Sequence, residues 1–586
     1  MKKIIPVFSF LIILFNFSFA QKFTHADTLR GSNGAGRSWW NATKYNLHVK
    51  FNLEDSSIIG YNIISYKKLE QKHPDFFQID LQEPMIIDSV ISQTGSEKFP
   101  LGNEKLSFTK EGNAWFVYLK NQALRPTTKH DINTIMLKSE NSNKSSLTEN
   151  GNNEISNLIV YYHGKPRKAK NAPWDGGFVW KRDKAGNPWI AVACQGLGAS
   201  VWYPCKDYQA DEPDSAEMHF TAPSDLIAVS NGRLRNVQNN NDGSTTYDWA
   251  VVNPINNYDI TFYLGKFVHF GEIYKGEKAS PSYGQENLTM DYWVLDSNLT
   301  KAKTQFKDAP AMMKAFEYWF GPYPFYEDGY KLVDAPYLGM EHQSAIGYGN
   351  HYKNGYLGRD LSGTGWGLKW DFIIVHESAH EWWGNNITSK DLADMWIHES
   401  FANYAEALFT EYYYGKKAAD EYVIGVRKNI RNDKPVIAHY GVNEEGSGDM
   451  YYKGGNMIHM IRQIINNDEK FRNILRGLNK TFYHHTVTSK EVEGYINKQS
   501  GINFSKVFDQ YLRTTEIPVL EYKKVNGTIY YRWTNCVDHF NMPLKIYNNQ
   551  GKLIFIHPLP VFQKAPKGVS EIKVDENFYV DVKSST

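Results

Sequence analysis

Val375-His376-Glu377-Ser378-Ala379-His380 and, further along, Trp396-Ile397-His398-Glu399-Ser400-Phe401-Ala402 are the stretches from which this chain is best read. Residues four apart lie on one face of a helix, about one turn from each other. The run from Asp371 to Trp383 has helical apolar spacing and no Gly or Pro until Gly384, so a helix there presents His376 and His380 to one ion. A third ligand has to come from another element. Glu399, with eighteen residues between it and His380, sits on a second expected helix, Asp391 to Tyr414, stopped by Gly415. Thr388 or Ser389 is placed to cap its start, and Gly384-Asn385-Asn386-Ile387 folds the two helices back on each other. Two imidazoles and one carboxylate suit zinc, and three ligands leave a fourth position open to water. The expected cofactor is one Zn2+ per chain. Glu377, beside His376, points next to the ion rather than at it, where a general base belongs. Zinc lowers the pKa of its water to about 7 and polarises a carbonyl. Glu377 then takes the proton and later hands it to the leaving amine.

Three further segments join this one in a resemblance to the zinc aminopeptidases related to aminopeptidase N and leukotriene hydrolase, which are gluzincins. Gly339-Met340-Glu341-His342 resembles the family's Gly-x-Met-Glu-Asn segment, with His342 where Asn is usual. The resemblance makes Glu341 the anchor of the substrate's free α-ammonium group and places the backbone of Gly339 and Met340 along an extended peptide. Tyr451-Tyr452-Lys453-Gly454-Gly455 is similar to the family's Tyr-x-Lys-Gly. Its register makes Tyr451 the oxyanion donor, with Tyr452 the alternative one residue on. Gln195-Gly196, ahead of Pro204-Cys205-Lys206-Asp207, stands where the family has a glutamine near the substrate's N-terminus. The likeness runs from about residue 40 to about 515 and implies a thermolysin-like catalytic domain. The bare chemistry points the same way, because recognising a free amine needs a carboxylate near the metal. Glu341 is expected on an edge strand starting near Lys331-Leu332-Val333, which an extended peptide joins by main-chain bonds.

The chain is too long for a single core. Strand patterns and turns fill about 45–270, with Asn240-Asn241-Asp242-Gly243 a strong hairpin signal. Helical periodicity dominates from about 278 to 515, in 302–319, 371–383, 391–414, 457–467 and 489–500. Strands return after Pro518, with hairpins at Val525-Asn526-Gly527-Thr528 and Asn549-Gln550-Gly551. The expected fold class is multidomain α+β: an N-terminal antiparallel β domain (21–277), a thermolysin-like α/β zinc catalytic domain (278–515) and a small C-terminal β-sandwich (516–586). Many relatives carry a large helical block over the cleft, and no such pattern is found here, so a more open cleft is expected. The glycine-rich stretch Gly347 to Gly367 reads as a mobile loop beside it, and Ser139 to Asn157 as an exposed loop.

Met1-Lys2-Lys3 and the apolar run Ile4 to Ala20 read as a signal peptide (1–20) cleaved before Gln21. The run is short for a membrane span, and the expectation is export to the periplasm or outside the cell with no stable span after cleavage. A formal net charge of +1 and no basic block exclude nucleic acid as a partner. Three cysteines cannot build a disulfide framework. Cys194 and Cys205 either pair, as export permits, or stay as buried thiols. The leading expectation is an exported zinc aminopeptidase acting on peptides with a free N-terminus through zinc-activated water and a glutamate base. The rivals are a zinc endopeptidase, which would not need Glu341, and an idle binding module on the same fold.

Overall fold

In the computed structural model the described residues are 23–70, 72–96, 99–119, 156–276 and 287–585. The signal-peptide segment, most of the 139–157 loop and the expected 277/278 boundary lie outside them. The fold is multidomain α+β, with a β-rich N-terminal region followed by a helical one.

The N-terminal region is built on a ten-stranded sheet and a four-stranded sheet. Its core alternates inward-facing residues such as Tyr45, Leu47, Val49 and Phe51 on the strand Trp40–Asn52 with outward-facing ones, as a half-buried strand requires. The sheet is not wholly antiparallel, since Trp40–Asn52 pairs parallel with Ser215–Pro223. Sequence reading favours antiparallel pairs because hairpins are local signals, whereas this pair joins residues far apart in the chain. The hairpin at 240–243 forms, with Asn241 and Gly243 in the left-handed region at φ 59° and 82°.

A five-stranded sheet follows, in the spatial order 267–275, 287–295, 330–334, 346–348, 339–340. The strand Tyr330–Asp334 is therefore interior, flanked by parallel neighbours. The edge strand is Gly339–Met340 itself, antiparallel to Ile346–Tyr348. This corrects the expected edge: the Lys331-Leu332-Val333 run is apolar because it is buried on both faces. One face of the sheet packs on the N-terminal core through Val333, Ala335, Tyr337 and Met340. The other packs on the helices.

The expected helix 302–319 is two, Leu299–Gln305 and Asp308–Phe320. The helix bearing the paired histidines runs only Phe372–Ala379. Asp371 caps it, its carboxylate accepting from the backbone N–H of Ile373 and Ile374. Beyond His380 the chain makes a kinked turn, with Trp383 and Gly384 out of helical geometry and Gly384 at φ 134°. Apolar spacing continues through the tryptophans because they are buried, so the pattern overran the end of the helix. The second helix is Trp396–Tyr414, ended by Gly415 as expected. Thr388 and Ser389 do not cap it. They lie in a short strand, Ile387–Ser389, paired with His485–Val487.

The stretch 347–367 is tied down rather than loose. The Asn350 amide donates to the carbonyls of Lys353 and Gly355 and to Asp371, at 2.7, 2.9 and 2.8 Å. None of its residues lines the cavity that holds the paired histidines. At the C-terminal end the two expected hairpins form within a four-stranded and a two-stranded sheet. Leu520, Trp533 and Ile546 share one continuous core with Phe508 and Tyr511 of the last helix. Cys194 and Cys205 are free, buried thiols, so the pairing alternative is set aside. Among the described residues no helix is long and apolar enough to cross a membrane.

Candidate active site

His376, His380 and Glu399 bring one ligand atom each to within 4.8 Å of one another, all buried. Glu399 Oε2 lies 3.6 Å from His376 Nε2 and 3.5 Å from His380 Nε2. Metal bonds of about 2.0–2.2 Å at tetrahedral angles hold donor atoms about 3.4 Å apart, so these spacings suit zinc. The second nitrogen of each ring is committed elsewhere. His376 Nδ1 is 2.8 Å from Glu406 Oε1, and His380 Nδ1 is 3.0 Å from the carbonyl oxygen of Trp383. Both partners are acceptors, so each ring can keep a proton on Nδ1 and, once the Nε2 proton is lost, offer that lone pair to an ion. Glu399 Oε2 is buried and accepts no hydrogen bond among the described residues, a loss that a cation between the three donors would repair. The residues present therefore fit the ion.

Electrostatics agree. Burial alone would lower the His376 imidazole, but Glu399 and Glu406 outweigh it and hold it well above its ordinary value. Burial is likewise outweighed at His380, which Glu399 raises to about 9. Burial would raise Glu399, but His380 and His376 hold it well below the usual carboxylate range. Ligation needs both imidazoles unprotonated, so zinc uptake by metal-free protein near pH 7.5 has to expel protons. Affinity then rises with pH above neutrality and falls as acid reprotonates the rings. Adding zinc to weakly buffered, metal-free protein is expected to release about one to two protons per ion. No acidification would contradict the site.

Glu377 lies beside this cluster in a cavity of about 130 Å³ that also takes in Gln195, Gly339, Met340, Glu341 and Tyr451. Burial pushes its carboxyl up to about 7. Its position depends on Gly339, where an added Cβ would come within 2.5 Å of Glu377 Oε1. Glu341 is 3% exposed. Its Oε1 accepts from Gln195 Nε2 at 2.5 Å and from the Tyr258 hydroxyl at 3.1 Å. Its backbone carbonyl accepts from Asn385 Nδ2 at 2.9 Å, so the kinked turn after His380 also positions the Glu341 segment.

Tyr451 lines the cavity, its ring 5.8 Å from that of His376 and inclined 28° to it. Burial and then Glu399, Glu445 and Glu341 raise its hydroxyl well above the ordinary tyrosine value, so it stays a donor. Tyr452 starts the helix Tyr452–Ile465 and does not line the cavity. His342 does not line it either. It is buried against the Tyr263 hydroxyl at 2.7 Å, and burial lowers its imidazole to about 3.

These arrangements can be set beside known proteins. A family model described as "Peptidase family M1 domain" matches residues 307–511. Over that stretch the chain is similar to peptidase family M1. A probable aminopeptidase 2 of Sulfurisphaera tokodaii is 22% identical over 391 residues, 63% of this chain and 46% of the relative. Mouse endoplasmic reticulum aminopeptidase 1 is 23% identical over 309 residues, 50% of this chain and 32% of the relative. The chain thus spans less than half the length of these relatives. Among solved structures, an M1 zinc metallopeptidase from Deinococcus radiodurans superposes with a TM-score of 0.63 at 17% identity. That match covers 83% of this chain and 96% of the other. At that identity the likeness speaks for the fold.

Sequence reading missed several site residues. Glu406 orients His376 and also accepts from the Tyr422 hydroxyl at 2.6 Å. It lies seven residues after Glu399, two turns on along the same helix face, so helical spacing could have found it. Trp174 and Glu445 come from loops and Tyr258 from a single helical turn, none with a local signature; only the fold brings the first two to the cavity and the third to Glu341.

Proposed function

We propose that this chain is a zinc-dependent aminopeptidase that removes N-terminal residues from peptides. The observation that carries the reading is Glu341, a buried carboxylate in the same cavity as the three-donor cluster, with its outer face fixed by Gln195 and Tyr258. A buried carboxylate of this kind calls for a positive partner, and a peptide's α-ammonium group supplies one. The Gln195 amide N–H is spent on Glu341, which leaves its carbonyl oxygen to accept from the same ammonium. The edge strand Gly339–Met340 offers unpaired main-chain groups to the extended peptide.

When bound, zinc polarises the scissile carbonyl and makes water acidic enough to attack at neutral pH. Glu377 accepts the proton of the attacking water and returns it to the departing amine. Its raised pKa matches that double duty. The Tyr451 hydroxyl donates to the oxygen on which negative charge develops, an interaction typically worth about 3 kcal/mol. The curated relatives named above are aminopeptidases by name, and a Deinococcus M1 metallopeptidase was crystallised with a Tyr-Ser-Ala substrate. Both support this reading.

The test compares one peptide with its N-acetylated form, with and without chelator. Acetylation removes the charge that Glu341 holds, so the free peptide is expected to be cleaved and the acetylated one spared. Equal rates would favour an endopeptidase and overturn the amine anchor.

A further inference from the structure

One carboxylate in the cavity neither converges on the ion site nor takes part in bond making. Glu445 lines the cavity together with Glu341, Glu377 and Glu399. No Lys or Arg lines the cavity, and among the described residues no hydrogen bond or ion pair engages the Glu445 carboxylate. The nearby Lys434 donates its Nζ only to the backbone carbonyl of Glu445, at 3.0 Å. The carboxylate lies against Gly196, next in chain to the Gln195 that bonds Glu341. A Cβ added at Gly196 would meet Glu445 Oε1 at 2.7 Å, and φ there is 71°, a conformation that favours glycine. Glu445 thus shares the cavity with Glu341 and lies against the residue that follows Gln195.

Trp174 lines the same cavity and is 62% exposed, the one tryptophan among the exposed large apolar side chains of the described residues. A tryptophan and an unpaired carboxylate lining one cavity make a combination suited to an extended cation: the ring can cover the aliphatic stem or the charged plane, and the carboxylate can take the charge-assisted hydrogen bonds.

We propose that Glu445 and Trp174 form a pocket for a basic side chain on the N-terminal residue, so that the enzyme prefers peptides beginning with Arg or Lys. This rests on the aminopeptidase reading and narrows its substrate class. Glu445 is a specificity residue here and takes no part in bond making.

The experiment measures kcat/KM for arginyl and leucyl aminoacyl amides with the full chain and with E445Q, E445D and W174A. In the unaltered enzyme the arginyl substrate is expected to lead. In E445Q the arginyl-to-leucyl ratio is expected to fall about 10- to 100-fold, the scale of a lost hydrogen bond to a charged group. E445D keeps the charge and should retain part of the ratio. W174A should lower it about two- to fivefold, as an exposed cation–π contact does. General damage to the site would lower both substrates together and leave the ratio where it was. A ratio unchanged in E445Q, or an unaltered enzyme that favours leucine, overturns the proposal. If the unaltered enzyme cleaves neither amide, the aminopeptidase reading itself has failed and the preference falls with it, a result visible before any substitution is made.

Discussion

E377Q is expected to lower kcat by about 10²- to 10⁴-fold, the range of a positioned general base, while the protein still holds its zinc. Glutamine keeps the size of Glu377 and its packing against Gly339. What it loses is the ability to take a proton from water and give it to the amine. Because Glu377 is not one of the three converging donors, the ion should stay. Metal analysis alongside steady-state kinetics separates the two effects. A variant that keeps more than a tenth of kcat would remove Glu377 from the base role. One that loses zinc would mean the residue supports the ligands instead.

The second large effect is expected at Glu341. E341A should cut kcat/KM for free peptides by about 10²- to 10³-fold, the scale of a charge-assisted anchor in a buried site together with the misalignment that follows its loss. The same variant should leave the acetylated peptide as poor a substrate as before, so the discrimination between the two forms collapses. Zinc content should again hold, since Glu341 is not among the converging donors. The binding side of the loss appears as a raised KM, the alignment side as a lowered kcat. Unchanged discrimination in E341A would move the amine anchor to another carboxylate of the cavity, such as Glu445.

Much of this site was legible in the chain because its parts are local. His376 and His380 sit one helical turn apart, and the helix that carries them announces its start with Asp371. Glu399 opens the first turn of a helix that Gly415 ends, and a carboxylate is favoured near a helix N-terminus. The hairpins at 240–243 and 526–527 are likewise written in Asn and Gly. What could not be read depends on contacts between distant segments. The parallel pairing of Trp40–Asn52 with Ser215–Pro223 has no local signature. The same holds for the Gln195 and Tyr258 bonds to Glu341, made across 146 and 83 residues of sequence. The helix that overran into Trp382 and Trp383 failed for another reason. Apolar periodicity reports burial, and both rings are buried in a turn that is no longer helical. The start of the second helix failed in the same way, because Thr388 and Ser389 satisfy their backbone in a strand rather than in a cap.

Everything proposed for the chemistry assumes that His376, His380 and Glu399 share one ion. Elemental analysis of the purified full chain, dialysed against metal-free buffer, tests this directly when E399A is run beside it. The account predicts one zinc per chain in the unaltered protein and a loss of most of it in E399A, whose two remaining imidazoles cannot close the site. A chain that carries no zinc, or an E399A variant that keeps a full equivalent, would contradict it.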